Sequence, residues 1–369
     1  EDYITMSKII ILGGARDYHA MDWYRSVRKV VSDKEVLFLT DTIRAENFEN
    51  IIKKDDIIEK LFIIDFLLFS HQSYMGNLWR NFVKILVLPV QIIKLRKFIN
   101  AYPNCTVHAH PMYYMLLCKI SGIEYIGTPQ GSEILVRPNR SMIYKKISIS
   151  LLKSANLITV DSQQMADVIK KMSGVKVKIV QYGINTKEIL KIDTTKVRKY
   201  NIVSIRGIAP LYQINKIISY RDKCLKNYNI VFIYPFFDSN YFEHIKSRSQ
   251  SNDQFIGRLD KNNMYNFLAE SKLVLSIPVS DSSPRSVYEA IFLGCCVATV
   301  YNCWIDHLPL CMQKRIIQVD LSDECWLKKA ISKAEEITRE KFIPSKDAIQ
   351  IFDEDISMSR VVNTIYNIA

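Results

Sequence analysis

Between Leu273 and Val300 the chain runs LVLSIPVS, then Asp281, then SSPRSVYEAIFLGCCVATV, and this segment concentrates residues suited to holding an anionic, hydroxyl-rich ligand. A β-branched run stops at Pro278, a polar loop follows, and a helical pattern opens at Pro284 and closes at Gly294. Ser283 is a favourable N-cap and Pro284 a favourable first helical residue. The unsatisfied amides of that first turn, with Arg285 and Ser286 beside them, and the helix dipole favour a phosphate over the strand end. Asp281 stands before the helix, and Glu289 follows eight positions later among Val287, Ala290, Ile291 and Leu293. A carboxylate in such surroundings needs hydroxyl donors, which a sugar or ribose supplies. The same pattern also describes an ordinary capped helix whose glutamate is satisfied internally.

Other residues could serve the same chemistry. Arg206 ends a strand-like run in IVSIRGIAPLYQIN, and a guanidinium fork suits a diphosphate, the alternative being a surface ion pair. In ILGGARDYHAMDWYRSV, Gly13 and Gly14 could let the backbone approach a phosphate or an acceptor. His19 and Trp23, four apart, share one face of the following helix, where His19 could instead be a cap. The Asp353–Asp355 pair reads as a solvated turn, and no metal site is expected.

The elements that must position these residues alternate along the chain. Strand-like runs are Lys8–Leu12, Val36–Leu39, Leu61–Ile64, Thr106–His108, Tyr125–Thr128, Leu157–Val160 and Lys178–Val180, then Ile202–Ile205, Ile230–Tyr234, Gln254–Ile256, Leu273–Ile277, Cys296–Val300 and Ile316–Val319. Helical patterns separate most of them, which predicts α/β units with parallel sheets covered on both faces. The rhythm restarts near residue 200, and the polar segment Asn185–Tyr200 is the expected interdomain linker. The expected domains are residues 1–190, residues 191–355 and a closing helix, 356–369, that returns to the first domain. Ligands in open α/β sheets bind beyond the strand carboxyl ends.

Composition narrows the partners. The 369 residues exceed one usual core, so two domains are expected. The formal charge of +12 suits an anionic partner, but no nucleic-acid recognition motif is present. None of the eight cysteines forms a C-x-x-C pair, so neither a zinc ribbon nor a redox motif is implied, and a reducing cytosol is the expected compartment. The opening EDYITMSKIIILGG lacks the pattern of a signal peptide, and no apolar run reaches the length of a membrane span.

Asp281 with the SSPRSVYEAIFLGC that follows it resembles the donor-site element of glycosyltransferase family 4, an acidic residue followed after seven others by Glu, with Asp281 and Glu289 in those places. GRLDKNNMYNFLAESKLVLSIP resembles the preceding family element, in which the loop after Gly257, here carrying Arg258, meets the nucleotide base. Arg206 stands where the family keeps an arginine for the donor diphosphate. The family's lysine a few residues later has no counterpart, and Lys216 and Arg285 are the candidates for its role. ILGGARDYHAMDWYRSV resembles the family's opening strand, glycine loop and helix, with His19 and Trp23 matching a His-x-x-x-Trp of related members. VHAHP and GIEYIGTPQGSEIL resemble its His-x-His strand end and Gly-Ser-Asp element, which puts His110, Gly131 and Ser132 on the acceptor side. Gln130 stands for the usual His or Trp there, and Glu133 for Asp.

The resemblance runs in order through nearly the whole chain. It implies a GT-B fold, two Rossmann-like domains whose parallel sheets face across a cleft. It further implies a nucleotide-sugar donor, transfer with retention and no required metal or cofactor. The polysaccharide-building members it is closest to imply a saccharide or lipid-linked saccharide acceptor in a bacterial cytoplasm. A nucleotide-sugar 2-epimerase of the same fold and a non-catalytic nucleotide-sugar-binding protein are the competing readings. Segment Trp79–Tyr102 interleaves aliphatic residues with Arg80, Lys84, Lys94, Arg96 and Lys97. That pattern suits docking on an anionic membrane surface, and equally a core-packed helix pair with solvated lysines.

Overall fold

The computed structural model describes residues 8–31, 34–44, 50–70 and 74–366. The chain divides into two compact units, residues 1–180 with 358–369, and residues 181–357. The first holds a seven-stranded sheet, β1 (Lys8–Leu12), β2 (Glu35–Thr40), β3 (Ile58–Lys60), β4 (Thr106–Ala109), β5 (Ile126–Gly127), β6 (Leu157–Val160) and β7 (Val177–Ile179), in the order β3-β2-β1-β4-β5-β6-β7. The second holds six strands, β8 (Val203–Ser204), β9 (Val231–Ile233), β10 (Gln254–Gly257), β11 (Leu273–Leu275), β12 (Cys296–Thr299) and β13 (Ile316–Gln318), in the order β10-β9-β8-β11-β12-β13. Every strand pairing is parallel. Central strands of such sheets are covered on both faces and so read as continuous apolar runs. Ile9–Leu12, Leu273–Leu275 and Cys296–Ala298 accordingly lie within the two cores at 3% exposure or less.

In each sheet the strand order reverses once, between β1 and β4 and between β8 and β11. At that point the crossovers leave in opposite directions and the strand carboxyl ends open into a crevice. Gly13 follows β1, His110 follows β4, Arg206 follows β8, and the loop bearing Asp281 follows β11.

Each predicted strand has a counterpart, and the third is displaced. Leu61–Ile64 is the more apolar run, but pairing with β2 is made by Ile58–Lys60, the three residues immediately before it. Leu61 and Ile64 instead turn their side chains into the core, their amides donating to Thr40 and Asp41 carbonyls. The apolar run therefore marked burial, not pairing. The expected linker Asn185–Tyr200 is not a linker. The units divide at Val180–Gln181, and Ile184 and Ile189 are buried in the second unit's core. Arg198 binds the Leu293 carbonyl at 2.9 Å, and the Lys199 amide binds the Glu270 carbonyl at 2.7 Å. Ile189, with Ile192 partly buried beside it, packs this segment while most of its charged side chains stay wet. The segment Trp79–Tyr102, for which a core-packed helix pair was one of two readings, runs to Asn100 within one helix, Tyr74–Asn100, continuous across Pro89.

Where the chain enters and leaves the second unit, two segments lie together. The Ile184 amide donates to the Phe352 carbonyl at 2.7 Å, the Glu354 amide donates to the Ile184 carbonyl at 3.0 Å, and the Ser357 hydroxyl reaches the Gln181 carbonyl. Gly183 makes this possible, because a Cβ there would lie 2.4 Å from the Glu354 Cα. Asp353, expected in a solvated turn, is buried here and accepts from the Thr186 hydroxyl and the Ile356 amide, while Asp355 pairs with Lys187 at 2.5 Å. Gly183→Ala must therefore push two backbones apart. A loss of about 1–3 kcal/mol in urea unfolding is expected, as for overpacking in a core, and an unchanged midpoint would contradict the close approach.

Candidate active site

In the second unit, the strand end after β8 and the loop after β11 meet through Arg206. Its Nη2 donates to Asp281 Oδ2 at 2.6 Å, and its Nη1 donates to Ser286 Oγ at 3.1 Å. The guanidinium also lies over the Tyr212 ring, 4.7 Å from its centroid. The side chains of Arg206 and Asp281 are only 12% and 14% exposed, so this ion pair is shielded from much of the screening that weakens surface pairs. The two loops are joined again by the Val279 amide on the Leu211 carbonyl at 2.9 Å, and by Gln213 Nε2 on the Ile277 carbonyl at 2.7 Å. A planar cation is thus fixed next to the N-terminus of the helix Arg285–Phe292.

That helix begins differently from expectation. Its cap is Pro284, whose carbonyl accepts from the Val287 amide at 2.9 Å, and Ser283 is not a side-chain cap. Ser283 Oγ instead accepts from Gln181 Nε2 at 2.9 Å. Proline at the cap position draws Ser283 one residue too far out to reach the first-turn amides. Gly294, at φ +85°, ends the helix as expected.

Glu289 is buried at 2% exposure, and its Oε1 accepts from Lys261 Nζ at 2.5 Å and from the Tyr265 hydroxyl at 2.9 Å. Lys261 opens the helix Lys261–Ala269, capped by Asp260, and its side chain is 64% exposed. Lys261 and Tyr265 were not singled out from the sequence. Their i, i+4 spacing behind a capping Asp was the available signal. Burial, and then the Glu289 charge, raise the Tyr265 pKa, so the phenol stays a donor to the carboxylate. Gly257, at φ +81°, leads into this helix with nothing within 4 Å of where a Cβ would be, so the loop through Arg258 borders open space. Of the two candidates for a second cation, Lys216 is exposed on the helix Ile214–Cys224, and Arg285 binds Glu354 at 3.5 Å and lies over the Tyr182 ring.

In the first unit, Gly13 and Gly14 are explained by packing. A Cβ at Gly13 would lie 3.0 Å from the His110 carbonyl, and one at Gly14 would lie 2.8 Å from Thr42 Oγ1. Asp17 caps the next helix by accepting from the His19 amide at 3.0 Å, and its other oxygen accepts from Gln130 Nε2 at 2.6 Å. His19 is exposed, whereas Trp23 is buried and donates to the Tyr366 hydroxyl at 2.9 Å, so one helix turn separates solvent from core. Gln130, Gly131, Ser132 and Glu133 form the start of a short helix. Glu133 Oε2 accepts from the Gln130 amide at 3.0 Å and the Met112 amide at 3.1 Å, which makes this carboxylate a bracket between two strand-end loops. Burial raises its pKa despite those amides.

Sequence reasoning also missed a buried polar cluster beyond β2. Asp41 is fully buried and accepts from Lys84 Nζ at 3.3 Å, from Gln91 Nε2 at 3.2 Å and from the Tyr114 hydroxyl. Burial lowers the Lys84 pKa, partly offset by Asp41. Lys84 and Gln91, seven apart, share a helix face, but no local spacing links them to residues 41 and 114.

His108 and His110 lie behind this face with ring centroids 4.4 Å apart. His108 Nδ1 is 2.6 Å from the Tyr366 hydroxyl, and its Nε2 is 2.7 Å from Thr128 Oγ1. The Tyr366 oxygen also accepts from the Trp23 indole, so Trp23, Tyr366, His108 and Thr128 form one buried chain of hydrogen bonds. Burial pushes the His108 pKa well down, with a smaller contribution from His110. Burial, then the His19 charge, pushes the His110 pKa down to about 3.

No family model matches the chain, and no curated protein matches it. Solved structures do. The chain is similar to HepE from Anabaena, determined in complex with UDP and glucose, at 13% identity and TM-score 0.69 over 98% of this chain and 100% of that one. It is similar to a sucrose-phosphate synthase from Thermosynechococcus elongatus at 9% identity and TM-score 0.75, covering 98% of each chain. It is also similar to the lipopolysaccharide outer core galactosyltransferase WaaB at 10% identity and TM-score 0.64, over 98% of this chain and 99% of that one. With two Rossmann-like parallel-sheet domains, the fold is GT-B.

The buried histidines make stability depend on pH. The unfolded chain takes a proton at His110 as pH falls through about 6.5, while the native state does not until about 3. Stability is therefore full above the unfolded value and is lost as pH falls from it, by about 1.4 kcal/mol per pH unit for each such histidine. His110→Asn should flatten the slope of urea stability between about pH 6 and about pH 4.5 by roughly one proton's worth. An unchanged slope would show that His110 titrates normally in the folded protein.

Proposed function

We propose that the protein is a retaining glycosyltransferase. It moves a sugar from a nucleotide-sugar donor to a saccharide acceptor, lipid-linked, in bacterial surface polysaccharide synthesis. The observation that carries this reading is the Arg206–Asp281–Ser286 constellation at the reversal point of the second sheet, beside a helix N-terminus. A ligand with concentrated negative charge makes use of a pinned guanidinium and a helix N-terminus together. The family resemblance of the same residues supplies the donor class, and the UDP and glucose named in the HepE complex make a UDP-sugar the first donor to test.

In this reading the donor diphosphate lies against Arg206 and the first turn of the helix Arg285–Phe292. As the glycosidic bond to the diphosphate breaks, charge builds on the leaving oxygens. Arg206 needs no reorientation to meet it, because Asp281 and Ser286 already hold the fork. Preorganised charge of this kind lowers the barrier more than a mobile side chain does. Glu289 receives ribose or sugar hydroxyls in exchange for, or together with, Lys261 and Tyr265. No metal or cofactor is assigned a role. His19, His110 and Gln130 lie at the first unit's corresponding strand ends, the side proposed for the acceptor.

A thermal-shift panel of UDP-, GDP-, dTDP- and CMP-sugars tests the donor class, because a ligand that binds only the native state raises the melting point. One nucleotide series should stand out, and a flat panel would overturn the reading. Arg206→Ala should weaken the diphosphate by about 1.5–3 kcal/mol, the range for a charge-assisted hydrogen bond, and leave the nucleoside nearly unchanged in calorimetry. Glu289→Gln should remove most turnover with the melting curve retained. Equal losses for both ligands, or near-normal turnover, would refute the respective roles.

A further inference from the structure

The first unit carries an exposed apolar face that the proposed transfer reaction does not use. In the helix Tyr74–Asn100, Met75, Leu78, Phe82, Ile85, Leu86 and Ile93 are 48% to 68% exposed. At about 100° per residue these six fall within an arc of about 100°, so they form one continuous stripe. The opposite face holds the buried Val83, Gln91 and Leu95 and the inward-turned Lys84. Phe66 and Phe69, 74% and 63% exposed, add to the apolar surface from the preceding loop. That loop is tied to the helix by the Trp79 indole, which donates to the Leu67 carbonyl at 2.6 Å.

Charge selects the occupant. Of the five basic residues expected to face a membrane, Lys84 is withdrawn to Asp41, and Arg96 is bound to the Ser121 carbonyl at 2.9 Å. Lys94 and Lys97 remain exposed at the carboxyl end of the helix. From Phe66 to Ile123 the sequence has six lysines and arginines and no acidic residue, and from Ile134 to Val160 it has five and none. The second stretch exposes Met142 and Ile143, at 67% and 74%, next to Lys145 and Lys146. An apolar stripe on a helix whose own charges are all positive matches an anionic lipid surface, with aliphatic groups among the acyl chains and amines at the headgroups. We infer that this face seats the protein on an anionic bilayer through the apolar stripe, the lysines adding attraction. No helix among the described residues is long and apolar enough to cross a membrane, so the contact is on the surface.

The test is co-sedimentation with phosphatidylcholine vesicles with and without phosphatidylglycerol. Wild type should pellet with the anionic vesicles. Phe82→Ser/Ile85→Ser/Ile93→Ser should lose pelleting at every salt concentration while binding nucleoside diphosphate as wild type does. Failure of docking is thereby distinguished from failure of the donor site. Lys94→Gln/Lys97→Gln should weaken binding by about thirtyfold at low salt, from the usual contribution of a basic group near such a surface. A reading that needs no variant is available, because Trp23, Trp304 and Trp326 are buried and Trp79 is exposed. Brominated acyl chains should therefore quench wild-type fluorescence through Trp79. Wild type left in the supernatant, a serine variant that pellets like wild type, or absent quenching would overturn the inference. So would ultracentrifugation showing a lipid-free dimer that the serine variant dissolves while neither protein pellets, since the face would then join two copies of the chain.

Discussion

A parallel strand covered by helices on both faces has little room for polar side chains, and this constraint organises both units. Ile9–Leu12, Leu273–Leu275 and Cys296–Ala298 are wholly apolar or small and wholly buried. Chemistry is pushed to the strand ends, where the chain leaves the sheet and the backbone no longer pairs. Gly13, Asp41, His110, Arg206 and Asp281 all stand within a few residues of a strand's carboxyl end. The single reversal of strand order in each sheet then chooses which ends lie open, and these are the ends of β1 and β4 and of β8 and β11.

The charged groups collected there are restrained by one another. Arg206 is held by Asp281, Ser286 and the Tyr212 ring, and Glu289 by Lys261 and Tyr265. A buried carboxylate without donors would lose several kcal/mol of solvation, so Glu289 recruits donors from the neighbouring helix before any ligand arrives. The same economy operates in the first unit, where Asp41 collects Lys84, Gln91 and Tyr114, and Glu133 collects two backbone amides. Each arrangement is polar, buried and partnered, as the cost of orphaned groups requires.

The helix Tyr74–Asn100 shows how a single element can serve both purposes. One side completes the first core and delivers Lys84 to Asp41, and the other presents apolar side chains to the outside. Its apolar content is nearly all-round, so periodicity alone could not tell a buried helix from one with an open face. The burial of Lys84 beside the exposure of Ile85 shows that one face of the helix is open.

Much of the fold was legible in the sequence, because burial on both faces leaves an unmistakable apolar run and turn residues mark its ends. Strand positions, the two-sheet plan and the strand-end placement of Arg206 and Asp281 follow from that local signal. Where apolar character and pairing diverged, at Leu61–Ile64, the local signal misplaced the strand. It misread Asn185–Tyr200 as well, because the buried Ile189 was outnumbered by wet charges. The cap at Ser283 also failed, since a proline one residue on shifted the helix start. The sequence by itself determined which residues had to be inside and which could carry charge, since both depend on side-chain type and short-range spacing. Only the tertiary structure decided who meets whom: Arg206 with Asp281 across 75 residues, Glu289 with Lys261 across 28, and Asp41 with Gln91 across 50. Such pairings depend on strand order and crossover direction, which bring distant segments together and leave no periodic mark on either one.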